Sequence, residues 1–184
     1  MKTEKIEKTM KHNKNNIAFI DAQNMYLAVQ ESNWLVDYKK FRVWLRDKYN
    51  IGEAYYFLGY LNEDHQDLYT ALQKAGFIVE FKEHTSLHAS TKKGNVDTFM
   101  VFKIMHKMLK ESSNFDKIVI VSGDGDFYQV VKFLIKEGRF EKILQPTKKT
   151  ASSLYEGLGS EYYDVLENPA IQSKIAYTKK RKGS

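Results

Sequence analysis

The stretch IVIVSGDGDF, residues 118–127, decides the fold because it joins a continuous apolar run to a glycine-spaced pair of acids. Four consecutive β-branched residues are typical of a strand that is covered on both faces, as in a parallel sheet. Gly123 and Gly125 allow the backbone to turn sharply after this strand, so Asp124 and Asp126 follow its carboxyl end. Ligands bind at that edge in open α/β sheets. The sequence therefore predicts a functional site beside these two acids.

The remaining chain alternates between strand and helix patterns. Apolar runs predict strands at residues 17–21, 53–61, 77–81, 116–121 and 140–144, and helical spacing predicts helices at residues 22–30, 37–49, 63–75, 95–109, 127–136 and 152–158. Residues 161–166 fit either a last strand or a turn. Alternation of this kind indicates parallel βαβ units. We predict an α/β fold, a three-layer α/β/α sandwich around a mainly parallel five-stranded Rossmann-like sheet in the strand order 3-2-1-4-5.

Length and charge indicate one domain and a polyanionic partner. The 184 residues suit a single domain at residues 17–167, with basic polar tails at residues 1–16 and 168–184. The net charge of +6 and the isoelectric point near 9.2 favour nucleic acid as the partner, and part of the excess charge lies in the tails.

Several functional classes are excluded by composition. Without cysteine, the chain has no disulfide, no thiolate zinc site and no cysteine nucleophile, which fits a reducing compartment, and we expect the cytoplasm. Residues 1–16 lack the apolar region of a signal peptide. No apolar run approaches the roughly 20 residues that span a bilayer, so we expect no membrane partner.

Two further acids are predicted to join Asp124 and Asp126. Asp21 ends the first strand, which neighbours the fourth in the predicted order, and Asp97 lies in the first turn of the long helix, on its apolar face. Clustered carboxylates are unfavourable unless they take up protons or a cation neutralises them. Oxygen ligands favour Mg²⁺ or Mn²⁺, which support phosphodiester chemistry by activating water. Asn24, one helical step beyond Asp21, would orient the water or a phosphate oxygen.

Each residue also has an ordinary structural interpretation. Asp21 and Asn24 suit a helix start, Asp97 suits the positive end of a helix dipole, and Asp124 and Asp126 suit a turn. Their predicted convergence at one sheet edge favours a site.

The loop before the long helix contains further candidates. Lys92 and Lys93 are placed to contact phosphate, although a solvated loop explains them equally well. His84 and His88 are spaced four apart, but in a predicted loop, so contact with substrate is favoured over metal binding.

Three motifs together resemble the NYN domain of the LabA-like type, within the PIN-like nuclease superfamily. They are FIDAQN at residues 19–24, KGNVD at 93–97 and SGDGDF at 122–127, and the resemblance spans roughly residues 16–167. It implies a PIN-like fold and Mg²⁺- or Mn²⁺-dependent ribonuclease activity, with Asp21, Asp97, Asp124 and Asp126 as the acidic site and Asn24 beside it. Family members often carry another acid where this chain has Lys103, which implies reduced activity.

The predicted function is therefore a metal-dependent endoribonuclease. Its predicted catalytic residues are the four aspartates with Asn24, the same aspartates are the metal ligands, and the predicted RNA contacts are Lys92, Lys93, Asn24 and Ser122. One alternative is a non-catalytic or weakly active RNA-binding regulatory module. Another is a different Mg²⁺ phosphotransferase, Toprim-like or haloacid-dehalogenase-like, although the latter normally carries its D-x-D on the first strand. The sequence leaves open whether the chain forms a homodimer.

Overall fold

Six parallel strands form one sheet in the order β3-β2-β1-β4-β5-β6 in the computed structural model, which describes residues 14–82 and 96–178. The strands are β1 (Asn16–Asp21), β2 (Ile51–Leu58), β3 (Ile78–Phe81), β4 (Ile118–Val121), β5 (Phe140–Gln145) and β6 (Tyr163–Val165). The predicted α/β class and strand order are confirmed. The sixth strand lies within residues 161–166, for which the sequence allowed a strand or a turn.

Helices cover both faces of this sheet. They are α1 (Ala22–Glu31), α2 (Tyr38–Tyr49), α3 (Gln66–Ala75), α4 (Val96–Lys110), α5 (Tyr128–Lys136) and α6 (Pro169–Ile175). Short 3₁₀ helices occupy Glu63–His65, Gly125–Phe127 and Ser153–Leu158. The 3₁₀ helix Glu63–His65 stands where the α-helix at residues 63–75 is predicted to begin, and Gly125–Phe127 includes the first residue of the helix predicted at 127–136. The 3₁₀ helix Ser153–Leu158 replaces the α-helix predicted at residues 152–158.

Two apolar cores separate the three layers. One packs side chains of α1, α2, α3 and α6 against one sheet face, and the other packs α4, α5 and the 3₁₀ helix Ser153–Leu158 against the opposite face. All four residues of β4 are buried, as its continuous β-branched run predicts. Among the described helices, none is long and apolar enough to cross a membrane.

The boundary of the C-terminal tail requires a correction. Residues 168–184 are predicted as a basic tail, yet α6 lies within them and its Ile175 is fully buried in the core with α2. Val36 and Ala176 also form an antiparallel bridge. The seven-residue helix is too short for a clear amphipathic pattern, and its burial depends on α2, which is distant in sequence.

Parallel pairing in register brings the first and fourth strands to the same edge. Ile20 of β1 pairs with Val121 of β4, so the residues that follow them, Asp21 and Ser122, are adjacent where the strands end. This edge carries the site described below.

Candidate functional site

Three carboxylates converge at the carboxyl edge of the sheet. Asp97 comes from the first turn of α4, whereas Asp124 and Asp126 come from the turn after β4. One carboxylate oxygen from each of the three lies within 4.8 Å of the others. Asp97 and Asp124 are half-buried and Asp126 is exposed, so the group is open to solvent on one side.

Asp21 is the most deeply buried of the four predicted aspartates. Its exposed fraction is 4%, and it is not part of the 4.8 Å group of three. The Asp21 Oδ1 atom accepts a hydrogen bond from the backbone amide of Asn24 at 3.0 Å, and Oδ2 accepts one from the Ser122 hydroxyl at 3.2 Å. Asp21 therefore caps α1, as its ordinary interpretation predicts, and also belongs to the polar network of the site.

Burial, with a smaller effect of neighbouring negative charges, raises the pKa of Asp21. Burial raises it from the ordinary 3.8 to about 6, the charges of Asp97 and Asp124 add to the rise, and the hydrogen bonds from the Asn24 amide and the Ser122 hydroxyl oppose it. A carboxylate that neighbours other carboxylates binds a proton or a cation more readily. This edge therefore favours a bound cation.

Ser122 links Asp21 to the turn that carries the other acids. Its side chain is fully buried, and its hydroxyl, which donates to Asp21, accepts a hydrogen bond from the Asp124 amide at 3.1 Å. The sequence-based prediction that Ser122 contacts RNA is not supported by this burial. Its hydroxyl instead positions two aspartates.

Asp124 caps the 3₁₀ helix Gly125–Phe127. Its Oδ1 accepts a hydrogen bond from the Asp126 amide at 2.9 Å. The bond holds both acids of the turn in place and uses one carboxylate oxygen. Capping and cation binding are therefore compatible, because a carboxylate has two oxygens with several lone pairs.

Asn24 fixes the backbone of the same turn. Its Oδ1 accepts a hydrogen bond from the Gly123 amide at 2.7 Å, across 99 positions of sequence. The side-chain carbonyl of Asn24 thus holds the turn, and its amide group is the part that suits contact with a phosphate oxygen.

The segment after β5 forms a wall behind the turn that the sequence did not predict. Ser152 donates its amide to the Gly123 carbonyl at 3.1 Å, and the Tyr155 hydroxyl donates to the Asp124 carbonyl. Tyr155 is fully buried, and burial with the nearby charges of Asp124 and Asp126 raises the pKa of its hydroxyl. The one sequence signal for this wall is the run of hydroxyl residues at 147–155, which is typical of many loops.

Of the remaining residues considered from the sequence, four lie outside the described part of the chain and one, Lys103, lies within it. Lys92, Lys93, His84 and His88 lie outside the described residues. Lys103 forms an ion pair with Glu80 of β3, with 3.1 Å between Nζ and Oε2, and its Nζ lies 5.3 Å from the Phe99 ring centroid. The positive charge of Lys103 is therefore paired within the fold.

The donor set fits a hard divalent cation. Carboxylate oxygens from three residues, with spacings up to 4.8 Å, match the preference of Mg²⁺ and Mn²⁺ for oxygen ligands. Because Mg²⁺–oxygen bonds are about 2.0–2.1 Å long, two oxygens on one ion lie at most about 4.2 Å apart, so oxygens at the 4.8 Å limit must approach slightly to share one ion.

Comparison with known proteins gives matches in both sequence and fold. The family described as the NYN domain matches residues 16–160. The low amplitude and bright protein LabA of Synechococcus elongatus is 27% identical over 125 residues, which cover 63% of this chain and 65% of LabA. The match thus spans just under two thirds of LabA.

A crystal structure of a protein of unknown function from Vibrio parahaemolyticus has a similar fold. The TM-score is 0.70 at 17% identity, and the alignment covers 91% of this chain and 99% of that protein. At this identity, the likeness concerns the fold alone.

Proposed function

Because this chain belongs to the NYN domain family of the PIN-like nuclease superfamily, we propose that it is a metal-dependent endoribonuclease that hydrolyses RNA phosphodiester bonds. The observation that carries this proposal is the group formed by Asp97, Asp124 and Asp126, whose carboxylate oxygens lie within 4.8 Å of one another. Two of the three sequence motifs thus supply acids to one position, although they are far apart in the chain.

The three grouped aspartates are the proposed ligands, with Asp21 as the additional carboxylate predicted from sequence. Mg²⁺ or Mn²⁺, when bound there, supplies charge neutralisation at the phosphate and lowers the pKa of water. Without a cation, burial and the charges of Asp97 and Asp124 raise the pKa of Asp21 to about 6, so a neutralising positive charge beside it is favoured.

The other residues of the site act by positioning. Ser122 orients the carboxylate of Asp21 and the backbone of Asp124. Asn24 holds Gly123 through its side-chain carbonyl and directs its amide group to the RNA backbone. Lys92 and Lys93 stay proposed phosphate contacts. The absence of cysteine suits action in the reducing cytoplasm.

The test is cleavage of single-stranded RNA by the purified protein with Mn²⁺ or Mg²⁺. We expect Asp124→Asn to reduce the rate by more than about 100-fold, beyond the 10–100-fold typical of losing a residue that only supports a metal ligand. The matched control is Asp116→Asn, which neutralises an exposed acid before the start of the same strand and should leave the rate unchanged. Cleavage that persists in Asp124→Asn would reject the proposed site.

Lys103 supports a second candidate, a regulatory module that binds RNA without cutting it. Lys103 occupies a position where family members often carry an acid, and here it is paired with Glu80. This candidate predicts equal RNA binding with EDTA and with Mn²⁺, and no turnover. Cleavage that requires metal would exclude it.

A further inference from the structure

A cavity of about 250 Å³ opens on the sheet face opposite α4, between α1, the start of α2 and β2. Four tyrosines contribute to its lining, Tyr26, Tyr38, Tyr56 and Tyr177, together with the amide side chain of Gln30. None of the described lining residues carries a formal charge. The cavity therefore suits an uncharged, planar ligand group better than a phosphate.

This cavity begins next to the aspartate site. Tyr26 lies two residues after Asn24 on α1, about 3 Å further along the helix axis but about 200° around it, so the two side chains leave the helix in different directions. Tyr56 pairs in register with Ile20, the residue before Asp21, and the charge of Asp21 adds to the effect of burial in raising the pKa of the Tyr56 hydroxyl. Tyr56, at the base of the cavity, is thus the lining residue for which the structure shows proximity to Asp21.

Rigid aromatic walls and exposed aromatic edges define the cavity. Tyr38 and Tyr56 meet edge to face, with 6.0 Å between ring centroids and an interplanar angle of 85°. Tyr26 and Tyr177 are 56% and 55% exposed, and the Gln30 amide donates to the Tyr26 hydroxyl at 2.9 Å. Aromatic faces beside an amide donor and acceptor match the π-face and polar edge of a nucleobase.

The volume of the cavity suits the ring system of a single nucleobase. At about 250 Å³, the cavity is smaller than the roughly 300–1,000 Å³ of sites for drug-sized ligands. Basic charge follows directly in sequence, because Lys179, Lys180, Arg181 and Lys182 begin two positions after Tyr177. Proteins that bind single strands combine aromatic stacking faces with positive charge along the backbone.

We propose that this cavity holds one base of a single-stranded RNA whose backbone continues past Asn24 to the carboxylates. The inference rests on the proposed function for the identity of the ligand and adds a base subsite to it. Tyr26 and Tyr177 provide stacking faces, and Gln30 contacts the polar edge of the base.

The experiment measures RNA binding by the full chain in EDTA, where the proposed cleavage does not occur. The probe is a single-stranded RNA decamer with one central 2-aminopurine, and a second decamer has an abasic site there. The wild-type protein should quench the 2-aminopurine and bind the abasic decamer more weakly. Tyr26→Ala should weaken binding by about 5- to 150-fold, the range for loss of one stacked base, and should abolish both effects.

Two further variants separate stacking from general damage. Tyr26→Phe keeps the ring and should bind within about twofold of wild type. Phe102→Ala removes a ring that is 60% exposed on α4, across the sheet, and should change nothing. Thermal melting checks that each variant is folded. Equal binding by wild type and Tyr26→Ala, or no wild-type preference against the abasic decamer, would overturn the base subsite.

The subsite and the nuclease activity can fail separately. Asp124→Asn should retain binding and quenching while it loses cleavage. A protein that binds and quenches but never cleaves would reject the hydrolase and keep the subsite. Normal cleavage with an unchanged KM in Tyr26→Ala would reject the subsite and keep the hydrolase.

Discussion

Asp21 combines two properties that usually exclude each other, deep burial and an ionisable group. Its exposed fraction is 4%, and among the residues that the structure describes, its carboxylate accepts one hydrogen bond from a backbone amide and one from a hydroxyl. These bonds do not offset burial and the neighbouring charges, so the pKa stays near 6. Such a group costs stability when it is ionised without a cation, which makes it a sensitive reporter of the site.

This burial predicts a specific pH dependence of stability in EDTA. The native pKa of Asp21, about 6, lies above the ordinary 3.8 expected for the unfolded chain, so the native state binds more protons between these values. The contribution of Asp21 to stability therefore falls as pH rises from about 4 to 6, by on the order of 3 kcal/mol. We expect Asp21→Asn to be more stable than wild type at pH 7 but not at pH 4.

Urea unfolding at several pH values between 4 and 7 provides the measurement. Asp116→Asn, an exposed control, should follow the wild-type pH profile. If wild type and Asp21→Asn show the same pH dependence, then the carboxylate of Asp21 does not carry the raised pKa.

The turn after β4 is held by elements from three parts of the chain. The side-chain oxygen of Asn24 accepts a hydrogen bond from the backbone amide of Gly123. The backbone amide of Ser152 donates to the Gly123 carbonyl, and the Tyr155 hydroxyl donates to the Asp124 carbonyl. Gly123 is itself buried, between Asn24 and the backbone of Thr150. The position of Asp124 and Asp126 therefore depends on this close packing as well as on local turn geometry.

Gly123→Ala tests that dependence. Its new Cβ would lie 2.5 Å from the carbonyl oxygen of Thr150, a backbone atom, so the turn or the segment after β5 must move. Overpacking of this kind typically costs about 1–3 kcal/mol, and we expect cleavage to fall along with stability. Denaturant unfolding and RNA cleavage are the measurements.

Gly157→Ala is the matched control for this change. Its Cβ would meet no described heavy atom within 4 Å, so stability should stay within about 0.5 kcal/mol of wild type. Equal effects of the two alanines would show that close packing at Gly123 does not position the turn.

At the scale of the whole molecule, the net positive charge comes from the two ends of the sequence. Residues 1–13 and 179–184 contain eight basic and two acidic residues, which account for the entire net charge of +6. Residues 14–178 carry equal numbers of acidic and basic side chains. The net charge that attracts a polyanion at long range therefore lies at the two ends of the sequence, whereas residues 14–178 contribute the carboxylate site.

This distribution predicts how RNA binding depends on salt. Changing Lys179, Lys180, Arg181 and Lys182 to Gln should reduce the steepness of log K against log salt concentration by up to about 3, because each contact to single-stranded phosphate contributes about 0.7. The control changes four exposed lysines of the folded part, Lys39, Lys48, Lys74 and Lys110, to Gln. It alters the net charge equally and should have a smaller effect. Equal slopes for the two variants would locate the phosphate contacts elsewhere.

Local sequence patterns were sufficient for the architecture and for the convergence of Asp97, Asp124 and Asp126. Alternation of strand and helix predicts the parallel sheet and its order, because periodicity and chain connectivity restrict the topology strongly. The grouping of Asp97 with Asp124 and Asp126 follows from the same topology, since each acid stands where an element meets the carboxyl edge. Periodicity was less informative for short segments, so α6 and the 3₁₀ helices were missed or assigned to the wrong helix type.

Contacts between distant segments determine the rest of the site. No local pattern shows that Tyr155 holds the Asp124 carbonyl or that Thr150 closes over Gly123, because those contacts cross 31 and 27 positions of sequence. The burial of Ser122 and the depth of Asp21 have the same origin. Residue types and spacing specify which acids reach the edge, whereas packing of the segment after β5 sets their exposure, hydrogen bonds and charge.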